Sequence, residues 1–225
     1  MPRKPAAPED LSAKKALALE VIARLKKEYP DAACTLDYDH AWQLLVSVRL
    51  AAQCTDARVN IVVEDLFAKY PSVAALAAAE PEEIEAIVKP CGLGHSKARD
   101  ISACMRMLRD KYDCKVPTTF EELLSLPGVG RKSANLIMGD VFGKPAIVTD
   151  THCIRLCNKI GLVDGIKEPQ KVEMALWKIF PPEEGSDLCH RFVMHGRAVC
   201  NARKPECEKC CLRDICRYAR ENAAT

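Results

Sequence analysis

The stretch "LPGVGRKSANLIMGDVFGKPAIVTDTHCIRLC", residues 126–157, contains the features that decide the fold. It opens with a turn made of Pro127, Gly128 and Gly130 between two apolar segments with helical periodicity. Glycine permits positive φ and leaves backbone amides uncovered, so such a turn at a helix N-terminus can bind an anion. Taken alone, the same turn is equally typical of two helices that pack closely.

A lysine and an aspartate follow this turn at a fixed distance. Lys132 comes two residues after Gly130, and Asp150 comes eighteen residues after Lys132. A lysine is normally protonated and is then no nucleophile. Partial burial and the positive end of a helix would favour its free, nucleophilic amine. The simpler readings are a solvated lysine and an aspartate that caps a helix over "THCIRLCNKIG".

The rest of the chain predicts an all-α protein. Helical periodicity is present in "LSAKKALALEVIARLKKEYP", in "HAWQLLVSVRLAA" and in segments near 120–125, 131–141, 151–160, 168–180 and 186–199. Asp56 and Ser96 are candidate N-caps of two further helices. The only β-like piece, "KPAIVTD", is too short to make a sheet.

Composition excludes several classes of protein. The 225 residues carry a formal net charge of only +2, so a uniformly basic nucleic-acid binder is not indicated. Residues 190–220 nevertheless hold eight Lys and Arg against three Asp and Glu, a local net charge of +5. No apolar run is long enough for a membrane span, and "MPRKPAAPED" lacks the apolar segment of a signal peptide. We therefore expect a cytoplasmic protein without a membrane partner.

Thirteen cysteines without an export signal argue for metal binding rather than disulfides. The segment "CNARKPECEKCCLRDIC" has a C-x6-C-x2-C-x5-C pattern, formed by Cys200, Cys207, Cys210 and Cys216. Four thiolates at this spacing could hold either a tetrahedral zinc ion or a four-iron cluster. Spacing alone does not decide between the two.

The glycine turn, Lys132, "VTDTH" and the cysteine pattern together resemble the helix-hairpin-helix, Gly/Pro, Asp superfamily of DNA glycosylases, in its endonuclease III branch. The likeness covers about residues 12–220; Thr149 departs from it but leaves Asp150 in register. It implies that Lys132 and Asp150 are catalytic. It also implies a [4Fe–4S] cluster on the four patterned cysteines, with Cys210 rather than the adjacent Cys211 as ligand.

The resemblance also implies how the chain would bind double-stranded DNA that contains damaged bases or abasic sites. In this family a glutamine and a bulky loop residue fill the gap left by an extruded nucleotide, and "LAAQCTD" and "GLGHSKA" match those segments through Gln53 and Leu93. Asp56 and His152 either line the pocket for the extruded nucleotide or have a structural role alone. The remaining DNA-binding candidates, expected to contact phosphates, are Gly128, Gly130, Arg203 and Lys204.

The implied architecture has two helical lobes with a DNA-binding groove between them, in a monomer associated with the nucleoid. Residues 1–10 would form a flexible tail. Residues 34–147 would form a six-helix domain with the helix-hairpin-helix at about 121–141. Residues 11–33 and 148–225 would form the iron–sulfur domain, with the cluster loop at 200–216.

The implied function is a bifunctional DNA glycosylase and AP lyase of base excision repair, which removes oxidised pyrimidines through a lysine Schiff base and β-elimination. One alternative is the adenine-mispair glycosylase of the same superfamily. That branch lacks the hairpin lysine, uses a glutamate before the segment equivalent to "QCTD", and has a longer C-terminal region. The other alternative is a non-catalytic helix-hairpin-helix DNA-binding module.

Overall fold

A computed structural model of the chain describes residues 8–222, with side chains from Leu11 onward. All regular elements in this range are helices, so the predicted all-α fold is confirmed. The β-like segment "KPAIVTD" has no regular structure, although Ala146, Ile147 and Val148 are buried. None of the helices formed by the described residues is long and apolar enough to span a membrane.

The described chain divides into two compact units. The boundaries lie between Ala33 and Cys34 and between Gly143 and Lys144. We call Cys34–Gly143 the middle unit, and the segments before and after it together the terminal unit. The second boundary falls four residues before the expected boundary at 147.

The middle unit contains seven α-helices, one more than the resemblance implies. Their ranges are α2 Ala41–Leu50, α3 Asp56–Lys69, α4 Val73–Ala78, α5 Pro81–Val88, α6 Gly94–Lys111, α7 Phe120–Ser125 and α8 Arg131–Asp140, with a 3₁₀ turn at Lys89–Cys91. The short helix α4 forms because the side chain of Ser72 accepts a hydrogen bond from the amide of Ala75 at 3.1 Å. Such a cap stabilises a first helical turn by about 1 kcal/mol.

Helix α6 is central to the middle unit, because α2, α4 and α5 all pack against it. Helix α8 packs against both α2 and α7. The side chains between these helices are fully buried and apolar, including Leu44, Leu66, Ile84, Met105 and Ile137. Burial of one such side chain contributes about 1.5–3 kcal/mol. This core therefore fixes α8, whose second residue is Lys132, the predicted nucleophile.

The terminal unit combines the start of the chain with its end. Its helices are α1 Pro8–Glu28, α9 Thr151–Ile160, α10 Pro169–Leu176, α11 Gly185–Ala198 and α12 Arg217–Asn222, with 3₁₀ turns at Pro182–Glu184 and Cys207–Lys209. Helix α11 packs against α1 and α9. Because α1 starts at Pro8, the predicted tail over 1–10 is wrong for its last three residues, and residues 1–7 lie outside the described range.

Two predicted helix caps are wrong. Helix α3 is capped by Thr55, whose hydroxyl accepts the amide of Arg58, while Asp56 instead accepts a hydrogen bond from the hydroxyl of Thr35 at 2.6 Å. Helix α6 starts two residues before Ser96, after Leu93 in a left-handed conformation. Asp56 is drawn to a tertiary partner, whereas the hydroxyl of Ser96 donates locally to the carbonyl of Leu93 at 3.1 Å.

Candidate active site

The predicted helix-hairpin-helix consists of α7, the turn Leu126–Gly130 and α8. Gly128 adopts a positive φ of 76°, which favours glycine. A Cβ at this position would lie 2.9 Å from Cβ of Asp100 and 3.1 Å from Cδ of Arg49. At Gly130, by contrast, an added Cβ would meet nothing within 4 Å. The turn is therefore closely packed on one side and open on the other.

An ion pair supports the packed side of this turn. Arg49 of α2 contacts Asp100 of α6, with its Nη2 atom 2.8 Å and its Nε atom 2.9 Å from Oδ2. Both side chains lie against Gly128 and are only about one-fifth exposed. Sequence reasoning missed this pair, because its two members are separated by fifty-one positions and match no motif.

The open side of the turn presents the N-terminus of α8. Gly130 is the N-cap residue and has no side chain to accept a hydrogen bond from the first amides of the helix. The first intrahelical hydrogen bond runs from the amide of Ala134 to the carbonyl of Gly130 at 2.9 Å. The preceding amides and the positive end of the helix dipole can therefore bind an anion.

Lys132 is the second residue of α8, and its side chain is exposed. The partial burial expected for its amine is therefore wrong. Its neighbour Arg131 stacks on the ring of Phe120 in α7, with the guanidinium 4.9 Å from the ring centroid. This stacking helps to hold the two hairpin helices together.

Asp150 belongs to the terminal unit and is the N-cap residue of α9, as predicted. Its carboxylate accepts the amide hydrogen of Cys153 at 2.7 Å. Behind it, Cys153 and Cys189 are fully buried thiols. Hydrogen bonding among the thiols, including Cys157, together with burial raises the pKa of both groups well above the usual range. These cysteines are packing residues, and the half-buried Asp150 carboxylate keeps one fixed backbone contact.

Gln53 and Leu93 share an unusual backbone conformation. Their φ angles are 57° and 52°, in the left-handed region that disfavours residues with a Cβ by about 1–2 kcal/mol. Both side chains are exposed, and that of Leu93 is 57% exposed despite being apolar. Each residue thus projects from a strained loop of the middle unit into solvent.

His152 has structural partners in the terminal unit. Its Nδ1 atom lies 3.1 Å from Nη2 of Arg155, and a Cβ on Gly196 of α11 would collide with its ring. The same guanidinium donates to the carbonyls of Gly196 and Cys200. His152 therefore packs α9 against α11. Through Arg155 it is also connected to the cysteine loop at Cys200.

The four patterned cysteines surround one pocket. This pocket has an empty volume of about 270 Å³, open solvent included, and is also lined by Lys159, Val199, Pro205, Glu206, Tyr218 and Ala219. Cys211 does not line it, and the carbonyl of Cys211 accepts a hydrogen bond from Arg24 of α1 at 3.0 Å. The adjacent thiols therefore have different surroundings.

Polar groups are directed at one of the four sulfurs. The amide of Leu212 donates to Sγ of Cys210 at 3.4 Å, and Nε2 of His195 lies 3.3 Å from the same atom. The hydroxyl of Tyr29 is 3.0 Å from Nδ1 of this buried histidine. Burial raises the pKa of Cys210 to about 12, so a thiolate here requires a cation beside it.

Over the described range, no three His, Cys, Asp or Glu side chains are arranged to hold a single metal ion. The four thiols instead line one shared pocket. In a four-iron cluster each thiolate binds a different iron, so the sulfurs need not converge on one point. Four thiols that line one pocket therefore supply the number of ligands that such a cluster needs.

Arg203 and Lys204 are exposed on the loop between the first two patterned cysteines. The amide of Lys204 donates to the side chain of Asn201 at 2.8 Å, which closes a turn. Two other cations of the region have acidic partners, since Lys209 binds Glu206 and Arg213 binds Glu208. The loop therefore presents Arg203 and Lys204 to solvent.

Comparison with known proteins decides the family. A model of the HhH-GPD superfamily of base excision DNA repair proteins matches residues 46–182. The endonuclease III of Synechocystis sp. is 43% identical over 207 residues, which are 92% of this chain and 94% of the relative. The chain belongs to the endonuclease III family.

Two solved structures agree with this assignment. A non-covalent endonuclease III–DNA complex superposes with a TM-score of 0.88 at 39% identity and covers 94% of this chain and 99% of its own. A trapped endonuclease III–DNA covalent intermediate superposes with a TM-score of 0.87 at 40% identity and covers 93% and 98%. The chain therefore has the endonuclease III fold.

Some residues around the candidate site of this endonuclease III family member were not predicted. Lys97 is completely buried although it carries a charge. A signal existed in the sequence, because Lys97 lies on the same helical face as Ile101 and Leu108. His195 was not predicted either, because its contact with Cys210 depends on the packing of the cysteine loop against α11.

Proposed function

We propose that this protein is a bifunctional DNA glycosylase and AP lyase that removes oxidised pyrimidines from duplex DNA. One observation carries the proposal: Lys132 is an exposed amine at a helix N-terminus directly after the glycine turn. Its chain is 40% identical to an endonuclease III that was trapped as a covalent DNA intermediate. Phosphate binding alone would not require a lysine at this position.

The proposed reaction starts at the amine of Lys132. Its lone pair attacks C1′ of the damaged nucleotide, while the bond between C1′ and the base breaks and the base leaves with the bonding electrons and takes up a proton. The nitrogen lone pair then forms a C1′=N bond while the C1′–O4′ bond breaks and O4′ takes up a proton, so that the sugar ring opens to a protonated Schiff base. Loss of a C2′ proton then breaks the C3′–O bond and releases the 3′ phosphate.

Asp150 assists this reaction through its negative charge. Its carboxylate stabilises the cationic sugar that develops as the base leaves, and accepts the proton that the ammonium of Lys132 must lose before attack. The hydrogen bond to the amide of Cys153 orients the carboxylate. An oriented carboxylate needs little reorganisation during reaction, which favours catalysis.

The DNA would be held through its backbone and opened by two loop residues. The amides at the start of α8, beside Gly128 and Gly130, bind one phosphate, while Arg203 and Lys204 bind others. Gln53 and Leu93 fill the gap left by the extruded nucleotide. The exposure of all four side chains supports these roles. The enzyme would act as a monomer in the cytoplasm, at the nucleoid.

The cofactor proposed for this protein is a [4Fe–4S] cluster on Cys200, Cys207, Cys210 and Cys216. When bound, the cluster supplies covalent cross-links to a loop too small to have its own core. The shared pocket and the hydrogen-bond donors around Cys210 support this assignment. The terminal unit is accordingly proposed as the iron–sulfur domain, and residues 34–147 as the hairpin domain.

Borohydride trapping tests the nucleophile. Duplex DNA with one oxidised thymine should give a covalent adduct with the parent protein, and Lys132→Ala should abolish it. Lys115→Ala, which removes an exposed lysine of the same unit, should trap like the parent. An adduct of normal yield with Lys132→Ala would show that another group attacks C1′.

Iron analysis tests the cofactor with a matched pair of variants. The parent protein should be brown and contain about four iron atoms per chain. Cys210→Ser should lose iron and visible absorbance, whereas Cys211→Ser should retain both because Cys211 does not line the pocket. A colourless parent protein that contains zinc, or equal loss from both variants, would contradict the assignment.

A further inference from the structure

Lys97 is the most buried charged side chain in the described part of the molecule, with 0% exposure. Lysine is almost never fully buried unless it has partners. Its ammonium group donates to the carbonyl of Leu50 at 2.8 Å and to the carbonyl of Cys91 at 2.9 Å. The cost of burial is thus offset by two charge-assisted hydrogen bonds.

Both carbonyls lie at the ends of helices. Leu50 is the last residue of α2, and Cys91 is the last residue of the 3₁₀ turn at Lys89–Cys91. Carbonyls at a helix C-terminus lack intrahelical partners, and a cation is favourable there. Burial lowers the pKa of Lys97, while the nearby thiols of Cys54 and Cys91 act in the opposite direction.

The residues that provide the two carbonyls directly precede the loops that carry Gln53 and Leu93. Gln53 follows Leu50 by three residues, and Leu93 follows Cys91 by two. The thiols of Cys54 and Cys91 are also close enough for Cys54 to contribute to the raised pKa of Cys91. Lys97 itself lies in the first turn of α6. Its backbone amide donates a hydrogen bond to the carbonyl of Leu93 at 3.0 Å.

The left-handed backbone conformations of Gln53 and Leu93 must be held in place by contacts elsewhere in the protein. Left-handed conformations of residues with a Cβ persist only where the surrounding structure holds them. The side chains of Gln53 and Leu93 are exposed, so their own packing does not stabilise these conformations. The hydrogen bonds of Lys97 are buried, and they connect the two loops directly.

We propose that Lys97 is a positioning residue that fixes the loops of Gln53 and Leu93 relative to each other, so that both side chains enter one gap in the duplex. The inference rests on the proposed function, because the gap exists only if a nucleotide is extruded. Lys97 does not touch DNA in this proposal and acts only through the two backbone carbonyls.

The test compares two activities of one protein preparation. The first is base excision from duplex DNA with one oxidised thymine, which requires a filled gap. The second is borohydride trapping at an abasic site in single-stranded DNA, which requires Lys132 but no gap filling. The ratio of the two rates is independent of the fraction of protein that is folded, so it separates positioning from stability.

Lys97→Met, which keeps the length but not the ammonium group, should lower this ratio by about 10- to 100-fold, as expected for misplaced groups. Leu108→Ala is the matched control, because it leaves a cavity in the same helix about three turns from Lys97. It should reduce stability and leave the ratio unchanged. Lys97→Gln, which retains a donor, should give an intermediate ratio and replaces Lys97→Met if that variant does not fold.

A double variant gives an independent readout. If Lys97 acts through Leu93, Lys97→Met combined with Leu93→Ala should have a ratio no lower than the worse single variant. A folded Lys97 variant with the parental ratio would overturn the inference. Failure of the parent protein to form an adduct with duplex DNA that contains one oxidised thymine would instead refute the proposed function, so the two failures are distinguishable.

Discussion

At the residue scale, Asp150 combines helix capping with a proposed catalytic charge, and substitutions can separate these two roles. Its carboxylate accepts the amide hydrogen of Cys153 at 2.7 Å, which caps α9. The proposed reaction also requires its negative charge. Asparagine is as good an N-cap as aspartate but carries no charge, whereas alanine provides neither function.

Asp150→Asn should therefore leave the free energy of unfolding nearly unchanged and greatly slow base excision while DNA still binds. Asp150→Ala should slow excision as well, and should also destabilise the protein by about 1 kcal/mol. Urea unfolding and single-turnover excision measure the two effects. Full activity of Asp150→Asn would exclude a role for the charge.

Single residues also show which local features can be predicted from the sequence and which cannot. The cap at Asp150 was predicted correctly because an aspartate before a helical segment is a local signal. Thr55 was missed because its neighbour Asp56 finds a partner, Thr35, twenty-one positions away. The left-handed conformation of Gln53 was also unpredictable, since nothing local favours positive φ there.

At the element scale, the hairpin turn offers two glycines with opposite surroundings. Gly128 has a positive φ and contacts Asp100 and Arg49, whereas Gly130 has an ordinary φ of −100° and open space. Substitution of both positions by alanine therefore compares a packed with an open site in one turn. The hairpin is the element that carries Lys132.

Gly128→Ala should destabilise the protein by about 2–4 kcal/mol, because left-handed strain and overpacking add. Gly130→Ala should change stability by less than about 1 kcal/mol, the size of an N-cap effect. The midpoint of urea unfolding measures both. Equal effects at the two positions would mean that the contact with the ion pair of Arg49 and Asp100 does not constrain the turn.

Elements with strong periodicity were predicted best. The hairpin was expected at about 121–141, and its helices are Phe120–Ser125 and Arg131–Asp140. The short helix α4 was passed over because its six residues carry little periodic signal, and its cap at Ser72 is what allows it to form. The cysteine pattern located the cysteine loop but could not show the contact of His195 with Cys210 or the hydrogen bond from the Leu212 amide, which depend on packing.

At the scale of the whole molecule, a partly exposed ionic contact joins the first and last helices of the described chain. Asp164, in the loop after α9, contacts Lys14 of α1 and Arg217 of α12, each at 2.5 Å. Burial alone would raise the pKa of Asp164, but the hydrogen bonds from Lys14 and Arg217 lower it below its ordinary value of 3.8. The ionised carboxylate therefore stabilises the folded state.

The sign of the pH dependence follows from this lowered pKa. The contribution of Asp164 is complete above about pH 4 and is lost as the pH falls through the folded-state pKa. Asp164→Asn should lower the free energy of unfolding by roughly 1 kcal/mol at pH 7, and this difference should shrink at pH 3. Asp31→Asn, an exposed aspartate of the same unit, should show no such difference. A constant difference across this range would exclude Asp164 as the titrating group.

The packing of α1 against α11 constrains how the chain can be made. Helix α1 leaves the ribosome before the middle unit, yet its partner α11 follows only after the entire middle unit has been synthesised. Cys34–Gly143 is continuous and can bury its own core while synthesis proceeds. During that interval the apolar face of α1 has no native partner, so the nascent protein must shield Val21 and Leu25 until the final third of the chain emerges.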